Sequence, residues 1–184
     1  MNRAGNDFHR FAPVQRALHW LMAACIIAML FIGVGMVSTV MPKYLALISI
    51  HKTLGVTILA LVLLRLAVRL RYGAPALPVD LPAPMKLAAH LSHYALYGLM
   101  IAMPLIGWAM LSAGGYPIVL YGPWGLPPIL PQNATVYAVL REAHTLFAYL
   151  LFATVLVHLA AALFHGLVRR DGVLESMATV GRDR

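Results

Sequence analysis

The stretch HTLFAYLLFATVLVHLAAALFHG, residues 144–166, decides the fold, because it places two histidines fourteen positions apart in a run without Asp, Glu, Lys or Arg. On an α-helix, fourteen residues return to nearly the same face after about 21 Å, most of the way across a hydrocarbon layer about 30 Å thick. His144 and His158 therefore present imidazoles at two membrane depths. Two further apolar stretches, residues 16–30 and 48–64, each carry a histidine near one end. This arrangement predicts two haems held by paired axial histidines.

Composition places the chain in a lipid bilayer. Of its 184 residues, 61% are hydrophobic and only 11% are charged, and the mean hydropathy is +0.81. A soluble domain of this size could not keep so much apolar surface out of water. Because a spanning helix needs about 20 apolar residues, we expect an all-α membrane four-helix bundle, a single domain over residues 1–184. The expected helices cover about residues 17–40, 50–70, 87–112 and 142–168.

The distribution of basic residues predicts the orientation. Of the 14 lysines and arginines, only Lys43, Lys52 and Arg141 fall on one side of the predicted spans. The positive-inside rule therefore places both termini in the cytoplasm. The first apolar stretch is long enough to be a retained helix rather than a signal peptide. We expect no nucleic-acid partner, since no soluble basic surface is evident.

With this topology the histidines sort by depth. His51 and His144 fall at the outer level, and His19 and His158 at the inner level, so these are the predicted iron-binding pairs. A single histidine in a membrane helix is more often packed or hydrogen-bonded, but four at matched depths favour ligation. No carboxylate lies inside the apolar spans, with Glu142 at the outer edge of the fourth, which argues against a carboxylate proton relay or a carboxylate-rich metal site. The sequence has no Cys-x-x-Cys-His site, so the haems should be bound non-covalently.

Four segments carry a resemblance to a known family. They are QRALHW (15–20), ISIHKTLGVTILALVLLRLAVRL (48–70), AAHLSHYALYGLMIAMPLIGWAM (88–110) and REAHTLFAYLLFATVLVHLAAALFHG (141–166). In this order and spacing they resemble the bacterial cytochrome b561 family. The resemblance implies a dihaem b cytochrome of the inner membrane that exchanges electrons with ubiquinone. The best understood member type oxidises superoxide at the outer face, and the family's ligands correspond to the same four histidines.

Other polar residues near the predicted haems are candidates for binding them. A guanidinium suits a haem propionate, so Arg16, Arg65 and Arg69 are predicted contacts, with Arg65 the deepest. The alternative for these arginines is ordinary membrane anchoring. His93 could contact a propionate or a quinone, ligate iron, or simply pack at the interface, and the same alternatives apply to His90. His165 could serve the inner haem, although its level is nearer the headgroups.

Two function classes remain open on the sequence. Lys43, Lys52 and Arg141 could attract a small anion such as superoxide to the outer haem, or they could merely solvate short loops. In the first class the protein reduces ubiquinone itself, using superoxide as the electron donor. In the second it is a haem b subunit that links a separate dehydrogenase or hydrogenase to the quinone pool. A haem-free channel would leave the paired histidines unexplained, and the oligomeric state is not predicted.

Overall fold

The computed structural model describes residues 10–40 and 42–178, and its main feature is a set of four long apolar helices. They are α1 (Pro13–Val37), α2 (Lys43–Tyr72), α3 (Ala83–Ala113) and α4 (Ala134–Leu163). Each is long and apolar enough to cross a membrane, and the span of α4 continues to Arg169. The expected all-α membrane four-helix bundle is confirmed.

Several helices extend beyond the apolar runs. Helix α2 begins at Lys43 rather than near residue 50, and α4 begins at Ala134 rather than near residue 142. The start of α4 is set by Asn133, whose side chain accepts a hydrogen bond of 3.0 Å from the Val136 amide. Hydropathy locates only the part of a helix that lies in lipid, whereas caps determine where the backbone becomes helical.

A short antiparallel hairpin, which was not predicted, follows α3. Strand β1 (Ile118–Tyr121) pairs with β2 (Trp124–Leu126). The hydroxyl of Thr53 on α2 donates to the Leu120 carbonyl at 3.0 Å, and the Trp108 indole donates to the Pro127 carbonyl at 2.8 Å. These bonds hold the hairpin against α2 and the end of α3, and we call this end of the bundle the hairpin end.

The opposite end is closed by the C-terminal part of the chain, and we call it the α5 end. Helix α4 continues into a π-helical turn (Phe164–Arg169), and Arg170 then adopts a left-handed conformation with φ of 52°. The chain reverses there into α5 (Val173–Ala178). A Cβ on Gly166 would collide with the Leu174 side chain, so the absence of a side chain at Gly166 lets α5 pack on the π-helical turn.

The helices pack in chain order, and this leaves room beside α4. Helix α1 packs on α2, α2 on α3 and α3 on α4, while the contacts of α4 with α1 and α2 are sparse. The central core is made by residues from all four helices, namely Met22, Ile26, Ile58, Val62, Met100 and Leu151. On either side of this core, towards the two ends, α4 faces α1 and α2 across histidine side chains.

Candidate functional site

Two histidine pairs lie between α4 and the first two helices. At the hairpin end, the ring centroids of His51 on α2 and His144 on α4 are 6.2 Å apart, with 65° between the ring planes. At the α5 end, the centroids of His19 on α1 and His158 on α4 are also 6.2 Å apart, with 66° between the planes. The structure therefore brings together the pairs that depth matching predicted.

The separation within each pair fits one iron between two imidazoles. A metal lies about 2.0–2.1 Å from an imidazole nitrogen, and that nitrogen about 1.1 Å from the ring centre, so rings on opposite sides of one metal have centroids about 6.3 Å apart. The observed 6.2 Å agrees at both ends. No cluster of three or more His, Cys, Asp or Glu side chains suited to a metal ion occurs among residues 10–40 and 42–178. Two imidazoles at this separation fit the axial ligands of a bis-histidine haem.

The surroundings of the hairpin-end pair are nearly devoid of polar partners. The Nδ1 atoms of His51 and His144 are buried and make no hydrogen bond with the described residues, while the Met103 carbonyl lies beside the His144 ring. With Nδ1 buried against protein, Nε2 is the nitrogen available to iron. A Cβ on Gly107 would lie 3.3 Å from Cε1 of His144, so glycine at this position in α3 leaves space for the ring.

The α5-end pair has a third imidazole and a partly buried cation beside it. The centroid of His93 on α3 is 5.6 Å from that of His158. The Arg65 guanidinium lies within electrostatic range of His19, His93 and His158, and its Nε donates to the Tyr97 hydroxyl at 3.1 Å. Sequence reasoning missed Tyr97 because a tyrosine near a membrane interface is usually assigned to the aromatic belt.

The three arginines predicted to contact haem propionates lie at one end of the bundle. Arg65 has a buried NH1 that makes no hydrogen bond with the described residues, so this donor is available to an anion such as a propionate. Arg69 lies within electrostatic range of His93, and the Nε of Arg16 is buried. All three arginines are at the α5 end of the bundle, near the His19–His158 pair.

A cavity of about 460 Å³ opens at the α5 end. Its polar lining consists of Arg69, Lys86, His90 and His93, and its apolar lining comes from Phe11, Ala89 and residues 74–77. His93 therefore connects the cavity with the His158 ring. The cavity lining contains basic and apolar side chains and no carboxylate.

His165 lies outside both pairs. Its Nδ1 is 2.7 Å from Oδ2 of Asp171, which also accepts from Nε of Arg169 at 2.8 Å, and Arg169 NH2 donates to Asp80 at 2.6 Å. This network joins the end of α4 to the α2–α3 link. His165 is engaged with Asp171 in the structure, while His9 lies outside the described residues.

The three basic residues of the predicted outer face differ in solvent exposure and in their contacts. Lys43 and Arg141 are exposed, whereas Lys52 is half-buried and its Nζ donates to the Pro117 carbonyl at 3.3 Å. Lys52 is the one that follows His51 directly and contacts the segment leading into the hairpin. It is thus the basic side chain best placed beside the hairpin-end pair.

Comparison with known proteins identifies the family of this chain. The sequence model of the prokaryotic cytochrome b561 family matches residues 10–179. The chain belongs to the prokaryotic cytochrome b561 family. This confirms the resemblance, and it makes the protein a multi-pass membrane haem protein of electron transport. Haem b is the cofactor of this family.

Individual relatives are similar along nearly their whole length. Cytochrome b561 homolog 1 of Escherichia coli (strain K12) is 28% identical over 177 residues, covering 92% of this chain and 97% of the relative. The probable superoxide oxidase CybB of Yersinia pestis is 29% identical over 170 residues, covering 91% and 95%. Cytochrome b561 homolog 2 of E. coli is 27% identical over 175 residues, covering 94% and 93%.

Proposed function

We propose that this cytochrome b561 binds two haem b groups in the bacterial inner membrane and moves electrons from superoxide to ubiquinone. The observation that carries the proposal is the equal 6.2 Å separation of two histidine pairs at opposite ends of the bundle. His51 and His144 hold one haem, and His19 and His158 hold the other. The bound haems supply one-electron redox chemistry.

The basic side chains have different roles at the two ends of the bundle. Arg65, Arg69 and Arg16 bind propionates at the α5 end, assisted by His93. With both termini in the cytoplasm, the hairpin end faces outward, where Lys43, Lys52 and Arg141 attract the superoxide anion. Lys52 guides it closest to His51, since these residues are adjacent in α2. The name of the Yersinia pestis relative supports superoxide as the donor.

The cavity at the α5 end supplies a place for ubiquinone. Its apolar lining suits an isoprenoid quinone, and its imidazoles and cations suit the quinone oxygens. His93 lines the cavity and lies beside His158, which keeps a bound quinone close to the inner pair. Two superoxide anions each lose one electron to become oxygen. The two electrons, with two protons from the cytoplasmic side, convert one ubiquinone to ubiquinol.

The test combines a haem count with a turnover assay. We expect a pyridine haemochrome assay to give two haems per chain, and a superoxide flux to drive ubiquinol formation that superoxide dismutase suppresses. The haem-free protein is the control. One haem per chain would reject the paired sites, and quinol formation no faster than the control would favour the subunit of a separate dehydrogenase or hydrogenase.

A further inference from the structure

We propose that Arg65, held by Tyr97, raises the reduction potential of the haem at the α5 end above that of the haem at the hairpin end. This charge asymmetry sets the direction of electron transfer through the bundle. The inference rests on the proposed function, because it requires haem at both pairs. The role of the Tyr97 hydroxyl is to hold the Arg65 guanidinium in place beside the pair.

The first observation is the position of the Arg65 charge. Its guanidinium is in electrostatic range of both ligands of the α5-end pair, His19 and His158. Its Nε donates to the Tyr97 hydroxyl, and its buried NH1 has no hydrogen-bond partner among the described residues. The side chain is thus fixed between α2 and α3 with part of its hydrogen-bonding capacity unused.

The second observation is that Arg65 forms no ion pair with a carboxylate of the described residues. Asp171 pairs with His165 and Arg169, and Asp80 pairs with Arg169. None of these pairs includes Arg65. Because Arg65 is only partly exposed and its NH1 is buried, water screens this charge less than it would screen a fully exposed one.

The third observation is the contrast with the hairpin end. The groups facing His51 and His144 are each other's rings and the Met103 carbonyl, and no guanidinium or ammonium of the described chain is in the same electrostatic range. Lys52 follows His51, but its ammonium is turned to the Pro117 carbonyl at the exposed surface. The two sites therefore have matching ligand geometry and different electrostatics.

The physical consequence is a difference in electron affinity. Reduction adds a negative charge, and a nearby fixed cation stabilises the reduced form relative to the oxidised form. Two propionates accompany each haem and do not by themselves distinguish the sites. Among the described residues, only the α5-end pair has in electrostatic range a guanidinium with a buried NH1 to offset them. An electron on the haem that His51 and His144 would hold would therefore move to lower free energy on the haem that His19 and His158 would hold, next to the cavity lined by His93.

The test is a redox titration of the visible spectrum of the purified dihaem protein with chemical mediators, without superoxide or quinone. We expect Arg65→Gln to weaken one of the two reduction steps at least tenfold, about 59 mV for a one-electron couple. Tyr97→Phe should shift the same step less. Arg65→Lys, which keeps the charge, should stay closer to wild type than Arg65→Gln. The matched control is Arg71→Gln, since Arg71 is exposed on the same helix and stacks on Tyr72.

A second titration assigns the shifted step. Protein with His51→Ala retains the α5-end haem, and adding Arg65→Gln there should lower the remaining potential by the same amount. The proposal is overturned if dihaem Arg65→Gln protein titrates like wild type, if both steps move equally, or if Arg65→Lys shifts as far as Arg65→Gln. Failure of quinol formation with superoxide would reject the proposed function but leave this measurement intact, because the mediators replace both substrates.

Discussion

Nδ1 of His165 lies 2.7 Å from Oδ2 of Asp171, and both side chains are nearly excluded from solvent. A carboxylate only accepts hydrogen bonds, so Nδ1 carries the proton. Burial raises the pKa of Asp171, but hydrogen bonds from Arg169, His165 and the Val173 amide lower it, and the net pKa is below the ordinary 3.8. The pair fastens α5 to the end of α4 through an ionised carboxylate.

Replacing Asp171 should therefore release α5 in a pH-dependent way. Because the pKa is depressed in the folded state, the carboxylate stabilises the fold above pH 3.8, and this contribution is lost as the pH falls through the folded-state pKa. We expect Asp171→Asn to cost about 1–3 kcal/mol at pH 7, and the difference from wild type to shrink below pH 3.8. Thermal unfolding of both proteins at pH 7 and at a pH below 3.8 measures this difference in stability. Asp80→Asn is the matched control, since Asp80 is mostly exposed, and an equal loss in both variants would contradict the prediction.

Removing single histidines should remove haems selectively. His144→Ala should lose the hairpin-end haem, and His19→Ala the α5-end haem, so each variant should bind one haem per chain instead of two. Pyridine haemochrome assays give the stoichiometry, and redox titration shows which step disappears. His165→Ala is the control and should keep two haems, since His165 bonds to Asp171. Loss of a haem from that variant would reassign the ligand set.

Gly107 offers a test of space beside the hairpin-end pair. A Cβ at this position lies 3.3 Å from Cε1 of His144, so Gly107→Ala should move the ring by a few tenths of an ångström. We expect altered low-spin electron paramagnetic resonance signals from one haem. Gly98→Ala on the same helix is the control, because nothing lies within 4 Å of its added Cβ. Identical spectra for wild type and Gly107→Ala would mean that the ring has freedom to adjust.

Lys52 should influence the encounter with an anionic donor. Lys52→Gln should slow superoxide-dependent haem reduction roughly three- to tenfold at low salt, with a smaller effect at high salt, because charge steering is screened by ions. Lys52→Arg keeps the charge and should stay near wild type. Stopped-flow spectroscopy measures the rate. A rate that falls equally in both variants would indicate that the bond to Pro117, rather than the charge, is what matters.

The sequence predicts the helices and the histidine pairs for the same reason, since both follow from local periodicity and length. The fourteen-residue spacing of His144 and His158 needs only the geometry of one helix. The hairpin could not be predicted, because seven strand residues are held by tertiary bonds such as that from Thr53 to Leu120. Tyr97 was missed for a similar reason, as its bond to Arg65 joins residues 32 positions apart.

Every proposed ligand pair joins opposite halves of the chain. His19 and His51 belong to the antiparallel unit α1–α2, and their partners His144 and His158 both lie on α4, which makes few direct contacts with that unit. Each porphyrin would therefore cross-link two helical hairpins that otherwise meet through the packing of α2 on α3 and through the central core. In cells starved of iron, newly made chains would lack these cross-links and should be degraded faster by membrane proteases, so that haem supply sets the abundance of the protein as well as its redox capacity.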